Sequence, residues 1–199
     1  MLTESARKEE KRSRILSAAV RLFAGDGFYR TRIGDIAKSA NVATGTVYIY
    51  FESKERILDA IFEDTMERFL ALGKEDLAGA DTAVERLRRI VELHLTNLGR
   101  DRELATVFQI ELRHSARFMD AYSRSRQLRE YFSRVSAILE QGKSEGSVRQ
   151  DLDSWFATKA LFGILDEAAT NWVLSDRNYR LISDADRIVD FALKGISAD

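Results

Sequence analysis

The sequence predicts an all-α protein, and three observations lead to that expectation. The 199 residues contain no proline, so no residue forbids a backbone hydrogen bond inside a helix. Apolar residues recur with the 3.6-residue period of a helix along almost the whole chain. The breaks in this pattern contain Gly, Asn, Ser, Thr or Asp, which are the residues that end or cap helices. We therefore expect about nine helices joined by short loops.

The first four helices follow from apolar spacing and from the residues that precede each run. The spacing predicts a first helix from about Arg7 to Ala24 and a longer fourth helix that ends near Leu72. Side-chain oxygens at helix starts accept backbone N–H groups, so short polar residues mark the other beginnings. The residues expected to cap the second, third and fourth helices are Thr31, Thr44 and Ser53.

Five further helices are expected in the rest of the chain. Asp81 and Ser183 are the expected N-caps of the first and the last of them. Their approximate ranges are 81–98, 103–112, 115–141, 152–174 and 183–193. Residues 1–53 then form a head, residues 54–199 form a larger body, and the fourth helix crosses both. A rigid element shared by two modules can couple their states.

Charge is distributed unevenly between the two ends of the chain. The net charge is −1 overall, but residues 1–50 carry +4 and the remaining residues carry −5. This asymmetry favours a head that faces a polyanion, although a solvated first helix would have the same composition. Since the net charge of the whole chain is −1, it gives no indication of nucleic-acid binding, and only the uneven distribution of charge does.

Composition excludes several other classes of protein. The absence of cysteine removes disulfides, thiol nucleophiles and thiolate metal sites. His94 and His114 are too far apart for a His-rich metal motif, and the sequence has no Gly-rich phosphate loop. We therefore expect no metal and no cofactor. The N-terminus is too charged for a signal peptide and no apolar run approaches the ~18 residues of a membrane span. These features predict a cytoplasmic protein without a membrane partner.

Residues 33–51, "IGDIAKSANVATGTVYIYF", predict two very short helices hinged on a tight turn. Asn41 lies where the turn needs a left-handed residue, a conformation that asparagine tolerates best after glycine. This is the geometry of a helix-turn-helix. The second helix would lie in the major groove of duplex DNA, while the first helix and the flanks contact the backbone.

The stretch "GDIAKSANVATGTVYIYFESKERIL", Gly34 to Leu58, resembles the N-terminal signature of the TetR family of bacterial transcriptional regulators. The preceding "ILSAAVRLFAGDGFYRTRI" is similar to the first helix and loop of that family, and the resemblance covers residues 13–62. The specific part is "Gly-x-x-Tyr-x-Tyr-Phe-x-x-Lys-Glu", which keeps its spacing from Gly45 to Glu55. Asn41 stands where the family usually has glycine, and this departure is conservative for the backbone.

The resemblance implies a set of DNA contacts. Thr31 and Tyr50 are expected to contact phosphates, and Lys54 to cap the same phosphate backbone. Around the second short helix, the residues expected to face bases or nearby phosphates are Thr44, Gly45, Thr46 and Tyr48. Arg32 is the candidate for an additional base or minor-groove contact.

The resemblance also implies that the body binds a small molecule and forms a homodimer through its last two helices. Small residues let two helices approach closely, and the eighth helix carries Ala160, Gly163 and Ala168 among large residues. Ala192 and Gly195 have the same property in the last helix. A core within one subunit would also fit these residues and is the alternative.

A narrower resemblance covers residues 108–181. "FQIELRHSARF" and "FGILDEAATNWVLSDRNYRL" are similar to the FadR subgroup of fatty-acid-degradation repressors, which long-chain acyl-coenzyme A releases from operator DNA. This implies a repressor whose effector needs an apolar tunnel and positive charge for its anionic head group. The tunnel candidates, which could also be ordinary core residues, are Phe62, Met66, Leu93, Phe108, Leu112, Phe132 and Phe162. Arg113, Arg117 and Arg124 would fall within about 40° of one another on the seventh helix, where a solvated face is the alternative.

Two other functions remain open at this point. An enzyme could use Glu111, His114, Asp166 or Glu167 as acid or base, but no nucleophile or cofactor motif accompanies them. A regulator of the same fold could instead sense a drug or another hydrophobic ligand. An acidic pocket would suit a cation, whereas a pocket with arginines at its rim would suit acyl-coenzyme A.

Overall fold

The computed structural model describes residues 3–114 and 124–196, apart from the side chain of His114. Within these ranges the chain forms nine α-helices and two short 3-10 turns, so the all-α prediction is confirmed. The helices are α1 (Glu4–Asp26), α2 (Ile33–Ser39), α3 (Thr44–Tyr50), α4 (Lys54–Leu77), α5 (Ala83–Gly99), α6 (Arg102–Gln109), α7 (Arg126–Glu145), α8 (Ser154–Leu174) and α9 (Ala185–Ile196). The 3-10 turns are Glu111–His114 and Leu181–Asp184.

The head consists of α1, α2, α3 and the start of α4, packed around one apolar cluster. Phe23, Ile36 and Val47 are fully buried in this cluster, and they come from α1, α2 and α3 respectively. Asn41 has a φ of 53°, so it adopts the left-handed conformation that the turn between α2 and α3 requires. The expected helix-turn-helix is therefore present.

The body packs α5, α7, α8 and α9 around a second apolar cluster. Leu95, Leu139 and Leu165 are fully buried there, one from each of α5, α7 and α8. Two helices join the clusters. The first half of α4, with Leu58, packs in the head, and its second half, with Leu70, packs in the body. Helix α6 contributes Val107 to the cluster of the head and Ala105 to the cluster of the body. Movements of α4 or α6 therefore reach both modules.

Helix starts agree with the sequence only in part. Ser53 caps α4 as expected, since its hydroxyl accepts the N–H of Arg56 at 3.2 Å. The N-caps of α2, α3 and α5 each lie one residue away from the predicted position. The observed N-caps are Arg32 for α2, Ala43 for α3 and Thr82 for α5, in place of Thr31, Thr44 and Asp81. Ser183 lies in a 3-10 turn and α9 begins after it, so the prediction of a Ser183 cap is wrong.

The seventh helix begins later than predicted. Ser125 is its N-cap and accepts the N–H of Leu128 at 3.1 Å, so α7 starts at Arg126 and the expected start at 115 is wrong. Residues 115–123 lie outside the described residues. Because Arg113 lies in a 3-10 turn and Arg124 precedes the cap, the expected arginine stripe on one helix does not exist.

Candidate DNA-binding surface and ligand cavity

Helix α3 presents one face to the head core and the other to solvent. Val47 is fully buried, whereas Thr44, Gly45 and Tyr48 are exposed. A helix with small residues at its exposed start can approach a groove closely. The side of α3 that carries three of the expected DNA contacts is therefore open to a partner.

The remaining expected contacts at the edge of α3 differ in exposure. Arg32 is exposed at the start of α2, while Thr46 and Tyr50 are half-buried. The ring of Tyr50 lies 6.5 Å from that of Phe51, which is buried in the head. Thr46 and Tyr50 belong to α3 itself and Arg32 precedes α2, and their contacts to DNA stay predictions.

Thr31 is buried, and its hydroxyl faces backbone carbonyls of the protein itself. Its side chain is only 3% exposed, and the hydroxyl donates to the carbonyls of Gly27 at 2.9 Å and Leu22 at 3.3 Å. The same two bonds explain why Thr31 does not cap α2. Thr31 therefore supports the loop that precedes α2, and its expected contact to a phosphate stays a prediction.

Lys54 is also occupied by the protein itself. Its Nζ donates to the carbonyls of Phe28 at 2.6 Å, Thr31 at 2.9 Å and Tyr29 at 3.3 Å, and lies 4.4 Å from the centre of the Phe28 ring. An ammonium has three donors, and these carbonyls use all of them. Lys54 therefore fixes the loop of residues 28–31 against α4, and its expected contact to the phosphate backbone stays a prediction.

Sequence reasoning missed two large exposed side chains on the head. Ile49 is 77% exposed on α3 and Tyr29 is 67% exposed in the loop before α2. A signal for Ile49 existed, because it lies about 200° around the helix from buried Val47. Both side chains add exposed apolar area to the head.

Glu111 connects the body to the same loop. Glu111 is buried, and its carboxylate accepts the backbone N–H of Phe28 at 2.7 Å. Glu111 belongs to the 3-10 turn that follows α6, so one end of the loop depends on the position of α6. This contact gives Glu111 a structural role in place of the acid or base role considered from the sequence.

A narrow cavity of about 40 Å³ lies in the body between α4, α5, α6, α7 and α8. Most of its wall is apolar. The apolar lining residues are Met66, Phe69, Leu98, Phe108, Tyr131 and Phe162, and the polar ones are Thr65, His94, Asn97, Gln109 and Asp166. Three of the expected tunnel residues, Met66, Phe108 and Phe162, line this cavity. It therefore combines an aromatic wall with a small polar set.

The other expected tunnel residues lie behind the wall or elsewhere. Phe62 packs against Phe108 with ring centres 5.7 Å apart, and the Phe132 ring lies 5.2 Å from Phe162 and 5.9 Å from Trp155. Leu112 is buried in the cluster of the head. Leu93 is half-buried beside Gly73. Leu93 and Leu112 are therefore packing residues in this conformation, and their assignment to the tunnel is not supported.

The expected arginines do not form one rim. Arg113 pairs with the carboxylate of Asp166, which lines the cavity, and donates to Gln109 Oε1 at 3.0 Å. Arg124 lies before the cap of α7, and Arg117 lies outside the described residues. The polar side of the cavity thus contains an acid whose charge is already compensated.

His94 was not expected at this cavity, although it lies among the buried positions Val91, Leu95 and Leu98 of α5. Among the residues that the structure describes, its Nδ1 is the buried side-chain nitrogen or oxygen without a hydrogen-bond partner. The rings of Phe69, Tyr131 and Phe162 surround it at centre distances of 5.7, 6.1 and 6.0 Å. Burial lowers the pKa of the imidazole to about 4, and the nearby Asp166 carboxylate offsets this only in part. His94 is therefore neutral near pH 7.

Helices α8 and α9 expose an apolar surface. Phe156 and Phe191 are 70% and 68% exposed, and Ala160 and Gly163 lie one and two turns beyond Phe156 on the open side of α8. Since Ala160 and Gly163 are exposed, a core within one subunit does not explain these small residues. We call the exposed surface around Phe156, Ala160, Gly163 and Phe191 the α8–α9 face.

Residues 3–114 and 124–196 contain neither a candidate metal site nor a helix that could span a membrane. No three side chains of His, Asp or Glu come together as a metal-binding group there. None of the helices in those ranges is both long enough and apolar enough to cross a membrane.

A helix-turn-helix head on a helical body that encloses a cavity defines a DNA-binding regulator with its own sensing module. Comparison with known families agrees. Residues 15–61 match the bacterial regulatory proteins of the tetR family, and residues 62–195 match the YsiA-like protein C-terminal region. The chain belongs to the TetR family of bacterial transcriptional regulators, which are not enzymes. The resemblance seen in the sequence is therefore confirmed.

Similar proteins are found among regulators of fatty acid metabolism. The fatty acid metabolism regulator protein of Bacillus subtilis is 34% identical over 190 residues, which is 95% of this chain and 97% of that protein. The fatty acid degradation regulator FadR from Bacillus halodurans superposes with a TM-score of 0.88 at 34% identity, over 93% of this chain and 95% of that one. FadR from Bacillus subtilis in complex with stearoyl-CoA superposes with a TM-score of 0.86 at 33% identity, over 92% and 98%. The similarity includes the body, as the FadR resemblance implied.

Proposed function

We propose that this protein is a repressor of fatty acid degradation genes that long-chain acyl-coenzyme A releases from its operator. The observation that carries the proposal is the aromatic cavity between α4 and α8, which α4 links directly to the head. The similarity to a regulator whose structure contains stearoyl-CoA supports the choice of ligand. Because the operator is genomic DNA, we expect the protein to act in the bacterial cytoplasm.

The cavity chemistry favours an acyl chain over a cationic drug. A cation buried among aromatic rings needs an acid to balance its charge. The acid in the cavity wall, Asp166, is already paired with Arg113. An uncharged hydrocarbon chain, in contrast, needs only the apolar rings. A TetR-type repressor that senses another hydrophobic ligand, such as a drug in efflux regulation, remains the second candidate.

Operator binding requires two heads held at a fixed separation. The α8–α9 face supports a two-fold homodimer through the last two helices, since exposed aromatic side chains beside small residues suit close helix packing. Two recognition helices about 34–36 Å apart fit successive major grooves of a pseudo-palindromic duplex. Each head would place α3 in one groove.

Ligand binding changes this separation through the walls of the cavity. The cavity of about 40 Å³ is far smaller than the roughly 300–1,000 Å³ of pockets that hold drug-sized ligands, so an acyl chain has to displace side chains. Met66 and Phe69 lie on α4 and Phe108 lies on α6, the two helices that also pack in the head. Movement of α6 would carry Glu111 and its bond to Phe28 with it. The ligand then prefers the state in which the heads do not fit DNA.

Titration calorimetry with and without operator DNA tests this proposal. Palmitoyl-coenzyme A, free coenzyme A and free palmitate are compared with the full-length protein, alone and bound to DNA from upstream of its own gene. We expect the acyl-coenzyme A to bind best and to bind more weakly to the DNA complex, because linkage is reciprocal. Equal binding of acyl-coenzyme A and coenzyme A, or equal affinity in both states, would reject the sensor.

A further inference from the structure

The buried Nδ1 of His94 is a polar atom whose partner is absent from the described part of the protein. Buried polar side-chain atoms in folded proteins nearly always have a hydrogen-bond partner, so each exception needs an explanation. The atom belongs to a residue that lines the ligand cavity. Its missing partner is therefore expected inside that cavity.

The surroundings of the ring restrict which part of a ligand can reach it. Phe69, Tyr131 and Phe162 enclose the imidazole, and transfer of phosphate or another ion into such surroundings is strongly unfavourable. The neutral imidazole offers one N–H donor and one acceptor nitrogen. A single uncharged polar atom on an otherwise apolar chain satisfies these conditions.

A second polar side chain lies on the same side of the helix. Asn97 follows His94 by three residues on α5, so both side chains point in nearly the same direction, and both line the cavity. Other parts of the wall, formed by Met66 and Phe69 of α4 and by Phe162 of α8, are apolar. The cavity therefore distinguishes the position of a polar atom along the ligand.

We propose, on the basis of the proposed function above, that His94 is a specificity-determining residue that hydrogen-bonds an oxygen atom on the acyl part of the bound thioester. The oxygen is either the thioester carbonyl, to which Nδ1–H donates, or a chain hydroxyl, from which Nδ1 accepts. Saturated chains without an oxygen at this depth leave Nδ1 unsatisfied and bind more weakly.

The test compares three ligands and three variants of the full-length protein. The ligands are palmitoyl-coenzyme A, its thioether analogue with a methylene in place of the carbonyl, and 3-hydroxypalmitoyl-coenzyme A. The variants are His94→Leu, His94→Asn, whose amide reaches the position of Nδ1, and Glu92→Gln as a control on the same helix outside the cavity lining. Thermal unfolding checks that each variant is folded.

We expect the wild type to prefer one oxygen-bearing ligand over its matched analogue by about tenfold, the value of one hydrogen bond. His94→Leu should lose this ratio, while His94→Asn and Glu92→Gln should keep it. Preference for the thioester over the thioether assigns the carbonyl, and preference for the 3-hydroxy ligand assigns the hydroxyl.

Two results would overturn the inference. If His94→Leu keeps the preference of the wild type for the oxygen-bearing ligand over its analogue, this preference does not come from His94. A trapped water then satisfies Nδ1, and the sensor function stands without this residue. Equal affinity of the wild type for the oxygen-bearing ligand and its matched analogue leads to the same conclusion. If the wild type binds none of the three ligands, the proposed function fails as well, so the two failures are distinguishable.

Discussion

At the scale of single residues, His94 makes the stability of the protein depend on pH. Its pKa is about 4 in the folded protein and 6.5 in the unfolded chain. Between these values only the unfolded chain binds the proton, so stability falls as the pH falls through this window. The complete loss corresponds to about 3 kcal/mol.

Urea unfolding of the wild type and of His94→Phe between pH 7 and pH 4 measures this effect. Phenylalanine preserves the ring but does not titrate, so the variant should lose less stability on acidification than the wild type. Glu85, Glu140 and Glu145, whose pKa values hydrogen bonds lower, also stop stabilising the fold as the pH falls, but they do so equally in both proteins. Parallel curves would contradict the assignment.

Lys54 allows a second prediction at this scale, because its ammonium holds three carbonyls. Lys54→Met should weaken operator binding for all sequences alike through a loosened loop. The slope of log affinity against log salt should stay the same, whereas loss of a lysine bound to phosphate would reduce it by about 0.9. Fluorescence anisotropy at several salt concentrations measures both quantities. Lys74→Met, at an exposed position on α4, is the control, and a reduced slope in Lys54→Met would instead support the phosphate contact.

At the scale of elements, the turn after α6 carries the link between cavity and head. Glu111→Leu removes the acceptor of the Phe28 N–H and should reduce the factor by which acyl-coenzyme A weakens operator binding. Glu111→Gln retains an amide oxygen and should preserve more of this factor. Operator titrations with and without ligand give the factor for each variant. An unchanged factor in a folded Glu111→Leu protein would show that coupling runs through α4 alone.

The helices also show which parts of the structure can be predicted from the sequence. Helix periodicity and the spacing from Gly45 to Glu55 predicted the head, because these signals are local. Thr31 has a side chain that can cap a helix, but its hydroxyl donates to the carbonyls of Gly27 and Leu22. The start of α7 had a local signal in Ser125, which the continuous apolar period obscured. Side-chain partners distant in sequence, as for Lys54 and Glu111, depend on tertiary packing.

At the scale of the whole molecule, the α8–α9 face should determine whether DNA is bound at all. Phe156→Asp places a charge on this exposed surface, and we expect monomers that bind the operator at least tenfold more weakly. Analytical ultracentrifugation and anisotropy measure the two effects. Leu72→Asp, at an exposed position on α4, serves as the matched control. A dimeric Phe156→Asp protein would place the interface elsewhere.

The two tryptophans give the protein a built-in optical reporter. Trp155 is partly exposed and touches Phe132, which in turn packs against Phe162 in the cavity wall. Trp172 is buried, with its indole N–H bonded to the Tyr179 carbonyl at 2.9 Å. Displacement of Phe162 would change the emission of Trp155 and leave that of Trp172 nearly constant. Occupancy of the cavity can therefore be followed by intrinsic fluorescence, in real time and without a label.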